Sequence, residues 1–239
     1  MNIDSLSATL SSMATWENQY IQLVTTKPDI IVAEPDRESP LQSKTIISER
    51  KQHFSGIYVE IGSGSGLHLL KLAQNNPTML CIGLEIRFKR AFKTGEKAET
   101  LGLKNVLVLR TDARNIDQLF EASEVSAFFV NYPDPWDKRR WKKNRILNES
   151  MLTTMHRLLK THGFIRYKTD HAEYFHSTTQ LISPALWQQT KYSTNLLSSE
   201  WASQNIPTEF EYLFTSQAKP LHLLEVAKRQ PAAALEQPA

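Results

Sequence analysis

The feature that most constrains this chain is the run Ile57-Tyr58-Val59-Glu60-Ile61-Gly62-Ser63-Gly64-Ser65-Gly66, an apolar β-branched segment that breaks into glycines at alternate positions and then into helical spacing. Strand, tight turn and helix in that order build half of a crossover unit, which needs a parallel strand to return to. The rest of the chain supplies it. Apolar runs at 79–85, 105–109, 125–130 and 163–168 are separated by segments of helical length, and 66–75, 88–101 and 148–160 carry apolar residues three and four apart. Asn148 is placed to cap the third of these. Two more strands, 186–194 and 220–226, follow Pro184. The pattern predicts an α/β fold, a mostly parallel seven-stranded sheet with helices on both faces.

The 239 residues suffice for one domain with short appendages. Residues 1–55 are rich in Ser, Thr and Pro, with one amphipathic stretch around Trp16, Tyr20 and Leu23 and no strong strand signal; they read as an arm, partly ordered. The core domain is expected over 56–227. The Ala- and Pro-rich segment 228–239 reads as a disordered tail. No internal repeat is present.

With 28 basic and 25 acidic side chains the net charge is +3, so a polyanionic partner must be argued from clustering, not from the total. The single cysteine, Cys81, lies in an apolar run and suits a buried thiol in a reducing compartment. Residues 1–26 contain no Lys or Arg, which argues against a secretory leader, and no apolar run is long enough to span a bilayer. No metal-ligand spacing occurs. A cytoplasmic monomer without metal or membrane association is the expectation.

The glycines fall where the first strand turns into the first helix, the place where a parallel sheet receives a ligand outside its carboxyl ends. Their spacing is G-x-G-x-G, because Leu67 stands where a dinucleotide fold would carry its third glycine. Glu60, just before the turn, would repel a pyrophosphate and attract a cation. Glu85 ends the second strand, 19 residues after Gly66, where a carboxylate accepts hydrogen bonds from ribose hydroxyls. Asp112, after the third strand, is placed either to accept from an adenine amine or to cap the helical turn near Asn115. Acidic residues at three successive strand ends favour a nucleoside without phosphates that carries positive charge, and S-adenosylmethionine fits. The bland alternative is a glycine-rich turn with no ligand.

After the fourth strand comes Asn131-Tyr132-Pro133-Asp134-Pro135-Trp136, at the switch point of an open sheet. Two prolines stiffen the loop, and Asp134 between two aromatics suits a planar base, since the N1–H and exocyclic amine of guanine can both donate to one carboxylate. A Pro-rich turn with packed aromatics is the competing account. The next segment, Lys138-Arg139-Arg140-Trp141-Lys142-Lys143-Asn144-Arg145, holds six basic residues in eight. Such runs are usually solvated, but beside a base-binding loop they suit RNA phosphates, with Trp141 free to stack. Arg87, Lys89, Arg90, Lys93 and Lys97 form a second cluster that reads as an ordinary solvated helix face.

These residues resemble the bacterial tRNA (guanine-N7-)-methyltransferase family. The likeness runs through Glu60-Ile61-Gly62-x-Gly64-x-Gly66, Pro133-Asp134-Pro135-Trp136 with its basic run, Thr169-Asp170-His171-x-Glu173-Tyr174-Phe175 and Thr208-Glu209-Phe210-Glu211, in that order over roughly 57–226. It implies a Rossmann-like class I methyltransferase fold, S-adenosylmethionine as cofactor and a variable-loop guanosine of tRNA as target. By the resemblance, Glu60, Gly62, Gly64, Gly66, Glu85, Asp112 and Asp134 line the cofactor pocket, and Asp134 is the catalytic residue. Lys138, Asp170, Thr208, Glu209, Phe210 and Glu211 would hold the target nucleoside, and Arg140, Trp141, Lys142, Lys143, Asn144 and Arg145 would contact RNA. Local readings stand beside these: Thr208-x-x-Glu211 is also a capping box, and Asp170-His171 also suits a helix start. The chain departs from the family pattern at Asp137, where a proline is usual, at Trp141-Lys142, where two histidines are, at Asn144, where an arginine is, and at 217–220, which lacks the usual glycine. Two rivals follow: a non-catalytic or respecified tRNA-binding paralogue, and a nicotinamide-dependent oxidoreductase, which the glycine spacing disfavours.

Overall fold

The computed structural model describes residues 18–33, 41–217 and 219–229. Its centre is one eight-stranded sheet in the order β1-β4-β3-β2-β5-β6-β8-β7, with β1 at Ile31–Ala33, β2 at Gly56–Ile61, β3 at Met79–Leu84, β4 at Val106–Arg110, β5 at Val125–Asn131, β6 at Leu159–Thr169, β7 at Trp187–Ser193 and β8 at His222–Lys228. The strands from β1 to β6 pair in parallel, whereas β8 pairs antiparallel with both β6 and β7. Each of the seven expected strands is present within two residues at either end, apart from the early start of β6.

Both faces of the parallel strands are apolar because both are covered. Val59, Ile82, Leu107, Phe128 and Val130 point into one core with helices α2 (Leu41–Arg50), α5 (Ile116–Leu119), α6 (Glu149–Leu158) and α7 (Ala172–Gln180). Their alternate neighbours Cys81, Val106, Val108, Ala127 and Phe129 point into the other with α1 (Tyr20–Val24), α3 (Leu67–Asn75) and α4 (Phe88–Thr100). Helix α8 (Glu209–Ser216) lies near the carboxyl ends of the strands, where Phe210 and Phe214 meet the ring of Tyr132.

The sheet has eight strands where the sequence predicts seven. Ile31–Ala33 adds to the edge of β4, with Ile31 opposite Val108. Its apolar run is only Ile30-Ile31-Val32-Ala33, with Pro28 and Pro35 near either end, so it is too short to show alternation. Arg50, from α2, secures the edge by donating to the carbonyls of Asp29 at 2.7 Å and Val106 at 3.2 Å. Tyr20 packs on Phe92, so the described part of the expected arm rests on the core. Trp16 and the tail 230–239 lie outside the described residues. Lys228, expected in the tail, belongs to β8 and donates to the carbonyl of Leu159 at 2.8 Å.

Helix α6 starts at the predicted cap, the Asn148 side chain accepting from the N–H of Met151 at 3.0 Å. It ends at Leu158, earlier than the spacing suggests, because Leu159 pairs with Val125 and begins β6.

Candidate active site

From β2 the strand order runs through β3 and β4 on one side and through β5 and β6 on the other, so the crevice of this fold opens between the carboxyl ends of β2 and β5. The glycine turn follows β2 and the loop 132–136 follows β5, which brings the two expected halves of the site to the same switch point.

All three glycines of the turn have positive φ, 72° at Gly62, 58° at Gly64 and 87° at Gly66. They do different work. A Cβ on Gly66 would sit 2.6 Å from the Thr94 methyl, so its close approach is to α4, not to a ligand. A Cβ on Gly62 or Gly64 would meet nothing within 4 Å, and that side of the turn is open. The N–H groups of Gly62 and Ser63 donate to the carbonyl of Leu84, which binds the turn to the end of β3.

Glu60 is buried, and its Oε1 accepts from the Asn131 amide at 2.8 Å with Nδ1 of His68 at 3.1 Å. Its other oxygen, Oε2, is buried without a partner among the described residues. Such an oxygen is costly unless a ligand satisfies it. Sequence reasoning missed His68 and the role of Asn131; a histidine on the apolar face of α3 carries no signal of its own.

Glu85 is also buried. It accepts from the N–H of Gly64 at 3.0 Å and of Arg87 at 2.8 Å, one to each oxygen, and each oxygen keeps a lone pair for a further donor. Burial pushes its carboxyl up from the ordinary range, and the two N–H bonds and nearby Arg90 pull back. Asp112 accepts from the N–H of Arg114 at 2.9 Å and caps the turn at Ala113–Asn115, so the capping role is observed.

The loop after β5 is strained on both sides of Asp134. Tyr132 has φ 49° and Trp136 φ 48°, values unusual for bulky residues. Asp134 is exposed and makes no ion pair among the described residues. Trp136 meets Trp141 edge to face at 6.2 Å, and Lys138 and Arg140 lie 4.7 and 5.0 Å from the Trp141 ring.

The basic run does not present all its charges outward. Arg145 is buried, donates to the carbonyl of Pro135 at 2.7 Å and to Ser177 at 3.0 Å, and is paired with Glu173. Its fork, expected to contact RNA, holds the loop to α7 in this structure. Lys142 pairs with the same Glu173 at 2.8 Å, while Arg139, Arg140, Lys143 and Asn144 are exposed. Nε2 of His171 approaches Asp137 at 2.6 Å, so the departure from the family's proline adds a tie to α7.

In the segment 208–211, Thr208 accepts from the N–H of Glu211 at 3.3 Å, the capping geometry the sequence suggested. Glu211 itself is buried and paired with Lys168. Glu209 and Phe210 face outward. Asp170 stands at the end of β6, 3.7 Å from Lys219, and His171, not Asp170, caps α7 by accepting from the N–H of Tyr174 at 3.0 Å. On α4, Lys93 pairs with Glu96 and Lys97 donates to the Ser65 carbonyl, in keeping with a solvated face. Among the described residues no group of three or more His, Cys, Asp or Glu is arranged for a metal ion, and no helix is long and apolar enough to cross a membrane.

Comparison with known proteins agrees with this fold. A family model described as "Putative methyltransferase" matches residues 55–224. The crystal structure of the 16S rRNA methyltransferase KamB superposes with a TM-score of 0.58 at 16% identity, covering 78% of this chain and 94% of that one, and shows the same fold. The chain is therefore a class I Rossmann-like methyltransferase. The tRNA (guanine-N(7)-)-methyltransferase of Clostridioides difficile is 36% identical over 173 residues, 72% of this chain and 80% of its own length. This chain belongs to the tRNA (guanine-N7-)-methyltransferase family. A bifunctional glycosyltransferase/methyltransferase of Fusobacterium nucleatum is 34% identical over 213 residues, and this chain spans 33% of that protein's length.

Proposed function

We propose that this chain transfers a methyl group from S-adenosylmethionine to N7 of a guanosine in tRNA, the variable-loop nucleotide at position 46. The observation that carries the reading is the meeting, at one switch point, of an open-sided glycine turn, the half-satisfied carboxylate of Glu60 and the Asp134 loop. Family membership supports the substrate.

The residues present suit the cofactor. Glu60 has a buried oxygen free for an ammonium, Glu85 has lone pairs free for ribose hydroxyls, and Gly62 and Gly64 leave room for close approach. Asp112 would line the adenine end. S-adenosylmethionine supplies an electrophilic methyl group. Guanine N7 carries a lone pair and no proton, so the protein needs neither a general base nor a covalent intermediate; its task is positioning and electrostatics. Asp134 offsets the positive charge that develops on the purine. Lys138, Asp170 and the outward residues Glu209 and Phe210 hold the nucleoside, while Thr208 starts the helix that presents them. Arg139, Arg140, Trp141, Lys143 and Asn144 form the RNA surface, with Lys142 available once released from Glu173. A tRNA substrate supports a cytoplasmic location.

The deciding experiment incubates the protein with labelled S-adenosylmethionine and unmodified tRNA and analyses the nucleosides. Label in 7-methylguanosine is the expected result. Binding of tRNA without label would point to the non-catalytic paralogue.

A further inference from the structure

Behind the Asp134 loop lies a buried polar knot that the reading above does not use. Lys168, at the end of β6, is 1% exposed, and its ammonium donates to Asn205 Oδ1 at 2.9 Å, the Ile206 carbonyl at 2.8 Å and Glu211 Oε1 at 2.5 Å. Three donors are thereby used. Glu211, 3% exposed, has its second oxygen engaged by the Asn205 amide at 2.6 Å. The carbonyl of Lys168 in turn accepts from the N–H of Tyr132 at 2.8 Å, the residue at φ 49° with which the loop begins. The Tyr132 ring packs 5.4 Å from Phe214 of α8, and its phenol is held up by burial and by the charge of nearby Glu211 and Asp170.

We propose that Lys168 and Glu211 act as one positioning unit, a buried ion pair that fixes α8 beside the loop carrying Asp134, so that Glu211 serves the substrate through α8 and not by touching it. Each Glu211 oxygen is engaged inside the protein, one by Lys168 and one by Asn205, and those bonds would be lost if the carboxylate turned toward a nucleotide. Among the residues that α8 exposes, Glu209 and Phe210 then depend on this pair for their place. Burial, with a smaller push from Arg166, pulls the Lys168 ammonium down from its ordinary value, and Glu211 opposes that shift. The backbone bond from Tyr132 to Lys168 survives any side-chain change, so the loop keeps its position when the pair is broken.

The inference rests on the methyl-transfer reading for its kinetic test. Lys168→Met should raise KM for tRNA at least tenfold, leave kcat at saturating tRNA within threefold, and leave the Kd for S-adenosylmethionine within twofold. Glu211→Gln should raise KM as well, and the double variant should be no worse than the poorer single one, because both changes break one unit. Additive effects, or an unchanged KM in Lys168→Met, would overturn the proposal and return Glu211 to direct contact. Amide hydrogen exchange over 205–216 gives a readout free of activity: it should quicken in Lys168→Met and not over β2 or β3. If the parent methylates no tRNA, the functional reading fails, and exchange alone decides, unchanged protection refuting the positioning unit. Should Lys168→Met not fold, Glu211→Gln, which keeps the shape of the side chain, carries the same two measurements.

Discussion

The guanidinium of Arg145 lies 4.4 Å over the ring of Tyr174, and the hydroxyl of that tyrosine accepts from the N–H of Leu147 at 2.9 Å, so the chain re-enters the core two residues after the arginine. Arg145 is thus the hinge pin between the exposed basic turn at Arg139–Asn144 and helix α7. Replacing it with alanine should cost roughly 1.5–3 kcal/mol, the loss of charge-assisted bonds to a half-exposed partner. Urea unfolding reads this directly. Lysine at the same position should recover only part of the loss, because it lacks the fork that reaches Pro135, Glu173 and Ser177 together; full recovery would mean that the charge alone matters.

In the proposed mechanism Asp134 offsets the charge that develops on the purine. Asp134→Asn keeps the shape and removes the charge, so methyl transfer should slow severely while S-adenosylmethionine still binds. A single-turnover rate within about threefold of the parent, below roughly 0.7 kcal/mol of barrier, would assign the role elsewhere.

The phosphate surface is smaller than the basic run. If Arg139, Arg140 and Lys143 each neutralise one phosphate, changing all three to alanine should flatten the slope of log affinity against log salt by about 2 to 3 units. The loss should be similar for every tRNA, since phosphate contacts do not read bases. An unaltered slope would move the RNA contact to Arg87 and Arg90, at the start of α4.

Glu173 makes the loop's attachment sensitive to acid. Hydrogen bonds from Arg145, and then from Lys142, hold its carboxyl down to about 2. A depressed carboxyl contributes stability that is fully present above its unfolded value, near 4.5, and is lost as pH falls through the folded value, so the window runs from about pH 4.5 to 2. The side chain is half exposed, so solvent and salt screen the effect. Carbon NMR of the Glu173 carboxyl should show a midpoint near the lower end and, in Arg145→Ala, a rise toward the ordinary range. A parent midpoint near 4.5 would show that the bonds do not persist in solution.

The parallel core was legible because β2 to β5 are mostly apolar runs and the longer crossover helices have their own period. The edge strand Ile31–Ala33 was not, since a strand of three residues takes its meaning from β4, far along the chain. The proposed cofactor half of the site was suggested where acidic residues stand alone near strand ends, as with Glu60 and Glu85. Which charges turn inward was not. Lys142 and Arg145 look alike in a basic run, and only the register of the turn against α7 gives Arg145 to the interior; likewise Glu209 and Glu211 differ only in which side of α8 meets Lys168.

The edge strand also sets an order of events during synthesis. Ile31 pairs with Val108, and the Arg50 side chain that secures the edge reaches a carbonyl in β4. On a ribosome that releases the chain from its amino end, β1 has no partner until β4 has emerged, so the earliest residues to be made are among the later ones to be built into the sheet. The edge strand Ile31–Ala33 is therefore completed only once β4 is in place, which ties the last step of building this edge to a residue pair 77 positions apart, Ile31 and Val108.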